Sequence, residues 1–500
     1  MSGEASLDPE RCYRAVCSRD ARFDGRFFTG VRTTGIFCRP ICPAPTPRAA
    51  HCSFGPSAAA AQAAGFRPCL RCRPEAAPGS PAWRGTQASV GRALRLIEQG
   101  ALDGDGSVEA LAARLGIGAR HLRRLFERHV GATPQAVARL RRVLFAKKLI
   151  DETRLPMTEV AAAAGFASQR RFNACLSEVY GRPPSALRRV ARGRTEAKRD
   201  QAAGTAVVPL ALAYRPPFDW AWLLAFLSVR ATPGVEAVEA GRYLRVTRDE
   251  DGLGVVVVEH DAARRRLRAR LHQPRSRALA RRAADLRRLF DLDADAREID
   301  FVLRGAGWLR ADLRRHPGTR VPGAWDGFET AVRAVLGQQV SVAAATTLAG
   351  RVAARWGEVL PGAHLISPAL ERAFPTPTSL CEAPLESVGL PRTRAQTIRS
   401  LASAVRDDPS LLEPGVDLEA DLARWQRLPG IGPWTAAYVA MRVLRHPDAL
   451  PAGDLALRKG VARDGDEPPP ARAVEDALEA CRPYRAYAAM RIWASAGERT

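Results

Sequence analysis

Ten cysteines are unevenly spread along the 500-residue chain, seven of them within the first 72 residues. Four form two close pairs: Cys38 and Cys42 with three residues between them, Cys69 and Cys72 with two. Each pair can bite one ion from a turn, and two pairs joined by a loop complete a tetrahedron. Four soft thiolates favour zinc. Cys12, Cys17 and Cys52 have no close partner and are expected to be packing residues. A secreted disulfide scaffold is disfavoured, because the chain is long and no secretory leader opens it. A second chemical feature stands far downstream. In LPGIGPWTAAYVAMR (428–442), Gly430 and Gly432 permit a tight turn whose backbone N–H groups can face a phosphate, as a helix N-terminus holds an anion. Twenty residues beyond Trp434 comes Asp454, in PAGDLALRK, and Trp493 follows near the end of the sequence. An isolated Asp is ordinarily a cap or a surface charge, so its meaning here depends on its neighbours.

The elements that must position these residues separate by texture. Residues 1–76 are Cys-rich and mixed, and 75–87 read as a linker. Residues 86–193 are helical and Arg-rich, with two similar helix–turn–helix units turning at Gly116 and Gly165. A polar linker, ARGRTEAKRDQAAGT, precedes a short β-rich region, 207–275, in which VVPLALAY, YLRVTR, LGVVVVEH and RRLRARL are strand-like. From 276 to 500 apolar residues recur at three-to-four spacing through RALARRAADLRRLFDL, WDGFETAVRAVLGQQV and TAAYVAMRVL, the helical period. The net charge is +23, carried almost wholly by Arg, since Lys147, Lys148, Lys198 and Lys459 are the four lysines. Such an imbalance favours a polyanion, because each cation set on a phosphate releases condensed counterions. No apolar run approaches the roughly 18 residues needed to cross a bilayer. A soluble, cytoplasmic, nucleoid-associated protein with no membrane partner is expected.

VRTTGIFCRPIC followed by AAGFRPCLRCRP closely resembles the N-terminal domain of the Ada methylphosphotriester repair proteins. The resemblance implies that Cys38, Cys42, Cys69 and Cys72 hold zinc and that Cys38 is also the nucleophile, taking a methyl group from a damaged backbone phosphate. Zinc keeps a thiol deprotonated, while three further thiolates leave it nucleophilic. Transfer would be stoichiometric and would lower the formal charge of the zinc–thiolate centre from about −2 to about −1, a switch from sensor to tight DNA binder. Thr34, Arg39, Arg67 and Arg71 are expected near that phosphate. Uncharged Pro43, Ala44 and Pro45 stand where family members often carry basic residues. The next hundred residues are similar to AraC-type regulators, with GF, Phe172 and VYGRPP in place. Arg120, His121, Arg123 and Arg124 in the first unit, and Gln169, Arg170 and Arg171 in the second, are expected on the groove-facing side of the recognition helices. Leu122, Leu125, Phe126 and Phe172 are expected in the core, small Ala110, Ala161 and Ala164 between packed helices, and Ser168 at an N-cap.

From about Pro209 onward the chain resembles the AlkA-type DNA-3-methyladenine glycosylases. The helix–hairpin–helix sequence, YRPPFDWAWLLAFLSVRA, GFETAVRAVLGQQVSV and FPTP occur in the expected order. The resemblance implies that Asp454 drives cleavage of the N-glycosidic bond, that Phe226, Trp434, Tyr438 and Trp493 line an aromatic pocket, and that Gln339 takes the wedge position. A base flipped from the stack and made cationic by alkylation suits an electron-rich aromatic cleft, with a carboxylate near C1′ to stabilise positive charge. Relatives that also cut the sugar carry Lys in the hairpin where this chain has Trp434, so no β-lyase step is expected. Neither an iron–sulfur cysteine quartet nor the PCHR-type site of the alkylguanine methyltransferases is present. The expected architecture is multidomain α+β: a small zinc-binding α/β domain, an all-α double helix–turn–helix domain, and a glycosylase with a β-rich subdomain and a helical helix–hairpin–helix core. The resemblances imply alkylation repair joined to transcription activation. Double-stranded DNA, damaged or operator, is the expected partner, with RNA polymerase during activation. The alternative is a regulator whose glycosylase half only binds DNA.

Overall fold

The computed structural model describes residues 8–20, 23, 27–72, 74, 88–98, 100–104, 106–153, 155–192, 207–249, 252–272, 279–414, 418–462 and 467–497. Both expected linkers lie largely or wholly outside these residues. The chain divides into two compact units, 1–216 with 261–285, and 217–260 with 286–500. This division runs through the 207–275 segment that the sequence reads as one β-rich piece.

In the first unit, strands β1 (Phe28–Val31), β2 (Ile36–Cys38), β3 (Cys52–Gly55) and β4 (Arg67–Pro68) form a sheet in the order β3-β1-β2-β4. β1 pairs antiparallel with β2, Thr29 opposite Cys38, and β2 pairs parallel with β4, Phe37 opposite Pro68. The strands are too short to announce themselves in the sequence. They are held by a small aromatic core in which Phe28 and Phe37 meet edge to face at 5.8 Å, as do Phe27 and Phe54 at 5.6 Å. Gly30 must be glycine, since a Cβ there would sit 2.5 Å from the Phe66 ring. Register and core together deliver Cys38 to the end of β2 and Cys69 to the residue after β4. Cys12 and Cys52 pack inside as expected, whereas Cys17 is exposed.

The two helix–turn–helix units follow in the same compact unit. Val108–Arg114 and Ala119–Val130 form the first pair, Met157–Ala163 and Gln169–Tyr180 the second, with the long helix Pro134–Glu152 between them. Ser107, Thr133 and Ser168 cap three of these helices, each side-chain oxygen accepting an N–H three residues on. Gly131 (φ 73°) and Gly181 (φ 65°) end both recognition helices in the left-handed conformation. Leu122, Phe126 and Phe172 are fully buried, and Leu125 packs against the cluster that holds Leu122 and Phe126. Ala161 and Ala164 are buried too, but Ala110 is exposed, because the helix that carries it turns that face to solvent. The unit also contains β5 (Val207–Ala213), antiparallel to β9 (Arg266–His272).

In the second unit β6 (Glu236–Glu239), β7 (Arg242–Asp249) and β8 (Gly252–Asp261) make an antiparallel meander. β6, with its Glu-Ala-Val-Glu sequence, escapes a hydrophobicity reading. The helical core is centred on Gly327–Leu336, whose Asp326 cap accepts from Phe328 N at 2.8 Å and whose Phe328, Val332, Val335 and Leu336 are buried. It packs against Arg392–Asp407 and Pro433–Arg442. The last is the second helix of the hairpin; Leu418–Gln426 is the first. Among the described residues no helix is long and apolar enough to cross a membrane.

Candidate functional site

The four paired cysteines converge in the first unit, their sulfurs all within 4.8 Å of one another. Zinc–thiolate bonds of about 2.3 Å in a tetrahedron set sulfurs about 3.8 Å apart, and Cys42 Sγ lies 3.9 Å from Cys69 Sγ. The donor set therefore fits one zinc ion, as two Cys pairs in a closed site should. Cys69 and Cys72 are buried, and their sulfurs accept backbone N–H groups from Arg71 (3.4 Å) and Arg39 (3.3 Å). Such bonds draw charge from those two sulfurs. Cys38 and Cys42 are partly exposed and, with Cys69, face a cleft of about 710 Å³.

Thr34, Arg67 and Arg71 line this cleft and are exposed. Arg39 lines the cleft as well, but from a buried position. Only 8% exposed, it turns its guanidinium back to donate to the Cys72 carbonyl at 3.0 Å, supporting the metal loop rather than reaching outward. Tyr180 and Arg182, from the end of the second recognition helix, also line the cleft. No sequence signal links them to cysteines over a hundred residues away.

On the first recognition helix, Arg120, His121, Arg123 and Arg124 are all exposed. Arg123 pairs with Glu109 of the preceding helix at 2.7 Å, and Arg124 hydrogen-bonds His121 at 3.1 Å, so part of this face is engaged within the protein. In the second helix–turn–helix Arg170 and Arg171 are exposed and Gln169 is half-buried.

In the second unit of the chain Asp454 caps the helix Leu455–Val461. Its Oδ1 accepts from Ala456 N (3.0 Å), Leu457 N (3.1 Å) and the indole N–H of Trp493 (3.0 Å); its Oδ2 accepts from the indole N–H of Trp434 (3.2 Å). The cap reading of this residue is thus correct, and the cap leaves the carboxylate facing a cleft. Four donors fix the carboxylate at the edge of a cleft of about 720 Å³, where Trp434 stacks on Tyr438 at 5.5 Å and Trp493 closes the wall. Oδ2, with one donor, is the oxygen with capacity left for a ligand.

Two expectations need correction here. Phe226 is buried and does not line the cleft. Its ring lies under two of the protein's own guanidiniums, Arg230 at 3.8 Å and Arg442 at 5.0 Å. Nor is the cleft simply aromatic, since Arg230, Arg333 and Arg442 line it. Arg333 is compensated by Glu236 at 2.7 Å, but Arg442 donates to the Tyr438 hydroxyl (2.7 Å) and to the Pro322 carbonyl. Burial pushes the Tyr438 phenol up, yet Arg442, Arg230 and Arg333 together outweigh it and hold it below the ordinary tyrosine value. The signal for two of these cations was in the sequence. Arg230 follows Phe226, and Arg442 follows Tyr438, by four residues, the spacing that stacks side chains on one helix face.

Gly430 adopts φ 79°, and a Cβ there would lie 2.0 Å from Thr397 Oγ1, so the hairpin turn demands glycine at that position. Gly432 is different: its backbone is extended, with open space where a Cβ would go. It precedes Pro433, which opens the second hairpin helix, where N–H groups lack intrahelical partners. Gln338 ties the hairpin to the core, its amide donating to the Gly430 carbonyl and the Thr435 hydroxyl, each at 3.0 Å. The next residue, Gln339, is exposed at φ 58°, and Val340 and Val342 beside it are 38% and 42% exposed. This turn is an exposed, partly apolar one whose two valines line the cleft. The flanking valines went unnoticed in the sequence because two valines are unremarkable until they are seen uncovered.

A helix–hairpin–helix core with an Asp beside an aromatic cleft defines the glycosylase class for the second half, and the sulfur cluster with its paired helix–turn–helix units defines an Ada-like first half. Comparison bears out both. The chain matches the families described as the metal binding domain of Ada (11–75), helix-turn-helix domain (111–190), AlkA N-terminal domain (209–326) and HhH-GPD superfamily base excision DNA repair protein (332–483). It is 43% identical to a probable bifunctional transcriptional activator/DNA repair enzyme AlkA of Mycobacterium tuberculosis, covering 97% of this chain and 96% of that one. It is 35% identical to DNA-3-methyladenine glycosylase 2 of Escherichia coli over 57% of this chain and 97% of the relative. The 3-methyladenine DNA-glycosylase of Archaeoglobus fulgidus shares the fold, with a TM-score of 0.52 at 21% identity over 58% of this chain and 99% of that one. The chain belongs to the AlkA family of bifunctional activator/repair proteins, with an Ada-type zinc-binding front.

Proposed function

We propose that this protein answers DNA alkylation in two ways, reversing methylphosphotriesters at Cys38 with activation of transcription, and excising alkylated purines at Asp454. The observation that carries the reading is the Asp454 carboxylate, clamped by two indole N–H groups at the rim of an aromatic cleft, in a chain whose other half gathers four sulfurs around one metal position. Bound zinc would hold the Cys38 sulfur as a thiolate at neutral pH. Cys38 is the acceptor because it is one of two partly exposed sulfurs in the cleft and stands where the Ada family places its nucleophile. The remaining sulfurs, two of them buried and hydrogen-bonded, are ligands only.

In the second half, the hairpin turn and the Gln339 tip grip and open the duplex, and 3-methyladenine or 7-methylguanine enters between Trp434, Tyr438 and Trp493. Asp454 stabilises positive charge as the N-glycosidic bond breaks and orients the attacking water. Trp434 in the hairpin leaves no amine at that position to attack the sugar, so the reaction stops at hydrolysis. The exposed residues Arg120, His121, Arg170 and Arg171 contact operator DNA, and RNA polymerase is engaged during activation.

Chromatography of bases released from methylated duplex tests the enzymatic half. Wild type should release both purines and Asp454→Asn neither at a comparable rate. Equal release by both proteins would overturn the assignment of Asp454, and no release by either would favour a regulator whose second half only binds DNA.

A further inference from the structure

The cleft beside the sulfur cluster is built from two modules. The zinc module contributes Thr34, Cys38, Arg67 and Arg71; the second helix–turn–helix contributes Tyr180 and Arg182. The modules share packing. Ala59 of the zinc module clusters with Ala132 and Leu140 of the helical one, and the Ser57 hydroxyl donates to the Val130 carbonyl at 2.9 Å. At the cleft itself, Arg67 Nη1 lies 3.5 Å from where a Gly181 Cβ would stand. Gly181, in its left-handed conformation, turns the chain off the helix axis and carries exposed Arg182 to the mouth of the cleft. The zinc module's own exposed cations at the cleft are Arg67 and Arg71, Arg39 being buried against the Cys72 carbonyl, and Pro43, Ala44 and Pro45 carry no charge.

We infer that Arg182 is part of the DNA-backbone grip of the methyl acceptor, clamping with Arg67 the phosphodiesters beside the damaged one, so that the second helix–turn–helix completes the methyl-transfer site. The inference rests on the reading of Cys38 as the acceptor. A methylphosphotriester is neutral and attracts no cation by itself, so the flanking phosphates must dock it. A guanidinium fork matches two phosphate oxygens. In the transfer, a bond forms between Cys38 sulfur and the methyl carbon. The carbon–oxygen bond to phosphorus breaks, and its electron pair stays on oxygen, leaving a phosphodiester anion. A cation at the cleft mouth stabilises that developing charge more than the neutral triester, which is the condition for raising the rate. Gln169, Arg170 and Arg171 stand at the other end of the same helix, about 18 Å away at 1.5 Å per residue. One rigid rod would then link base reading to the repaired phosphate.

The test uses zinc-loaded full-length protein and a duplex oligonucleotide bearing one methylphosphotriester, with single-turnover methylation of the Cys38 peptide followed by mass spectrometry. Arg182→Ala should slow transfer about tenfold, Arg182→Lys should recover most of the rate, and Arg182→Glu should be slower than Ala, all with unchanged zinc content. A second measurement, the salt dependence of affinity for unmodified duplex, should show a slope shallower by about one unit in Arg182→Ala, as expected for one lost phosphate contact. Transfer at or above the wild-type rate in Arg182→Ala, or an unchanged salt slope, overturns the inference. Failure of wild type to label Cys38 would instead refute the acceptor reading, and the salt slope would still decide whether Arg182 holds phosphate.

Discussion

The two oxygens of Asp454 are unequally used. Oδ1 is saturated by two backbone N–H groups and the Trp493 indole, while Oδ2 holds only the Trp434 indole. An Asn at 454 can keep the cap through its carbonyl, but it loses the negative charge and points an NH₂ group at a donor. Asp454→Asn is therefore expected to lower base release by on the order of 10²–10³ while moving stability by no more than about 1 kcal/mol, read by base chromatography and thermal melting. Tyr438 gives a pH signature at the same scale. Its phenol ionises below the ordinary tyrosine value, because three guanidiniums outweigh the upward push of burial. Phenolate absorbance should rise earlier in the wild type than in Tyr438→Phe as pH increases toward about 10. A folded-state value below the unfolded one adds stability above the unfolded value and loses it as pH falls through the folded one. The three arginines also revise the simple picture of an aromatic trap for cations, since Arg230 and Arg442 already occupy the face of Phe226.

Elements decide which glycines and charges matter. Gly430 and Gly432 look equivalent in the sequence, yet only the first has positive φ and a blocked Cβ direction. Gly430→Ala should destabilise the hairpin by about 1–3 kcal/mol and weaken DNA binding, whereas Gly432→Ala should leave the melting temperature near wild type; melting curves of the pair separate them. Behind the cleft, Glu236, Glu329, Arg245 and Arg333 form a buried network, with Glu236 3.2 Å from Arg245 and 2.7 Å from Arg333. Glu329→Gln would leave Arg245 undercompensated and is expected to cost about 3–5 kcal/mol, checked by denaturant unfolding. The network was not visible in the sequence, because its members come from β6, β7 and the helix Gly327–Leu336. What was legible followed short-range rules. The Cys pairs, the Ser168 cap, the strands at 207–213 and 253–260 and the hairpin turn are written within a few residues. Phe226 turns away from the cleft it was expected to line because a motif fixes where a residue stands in the chain, not which way its side chain turns.

At the scale of the molecule, the +23 charge is now partly placed. Arg67, Arg71 and Arg182 face the sulfur cleft, and Arg120, Arg170 and Arg171 are exposed on the recognition helices. Many other arginines are internal, among them Arg215, Arg320 and Arg491, each no more than 1% exposed. Net charge alone therefore overstates the surface available to DNA. On the proposed reading the two compact units carry separate chemistries, a sulfur that accepts carbon and a carboxylate that assists loss of a base, and each is expected to be disabled without the other. The measurement that tests this most directly is one incubation of the zinc-loaded full-length protein with methylated duplex DNA, from which the Cys38 peptide and the freed bases are both weighed. The account predicts a gain of about 14 Da, one CH₂ on a thiolate, at Cys38, together with free 3-methyladenine and 7-methylguanine. An unmodified Cys38 peptide with no purine in solution would contradict it.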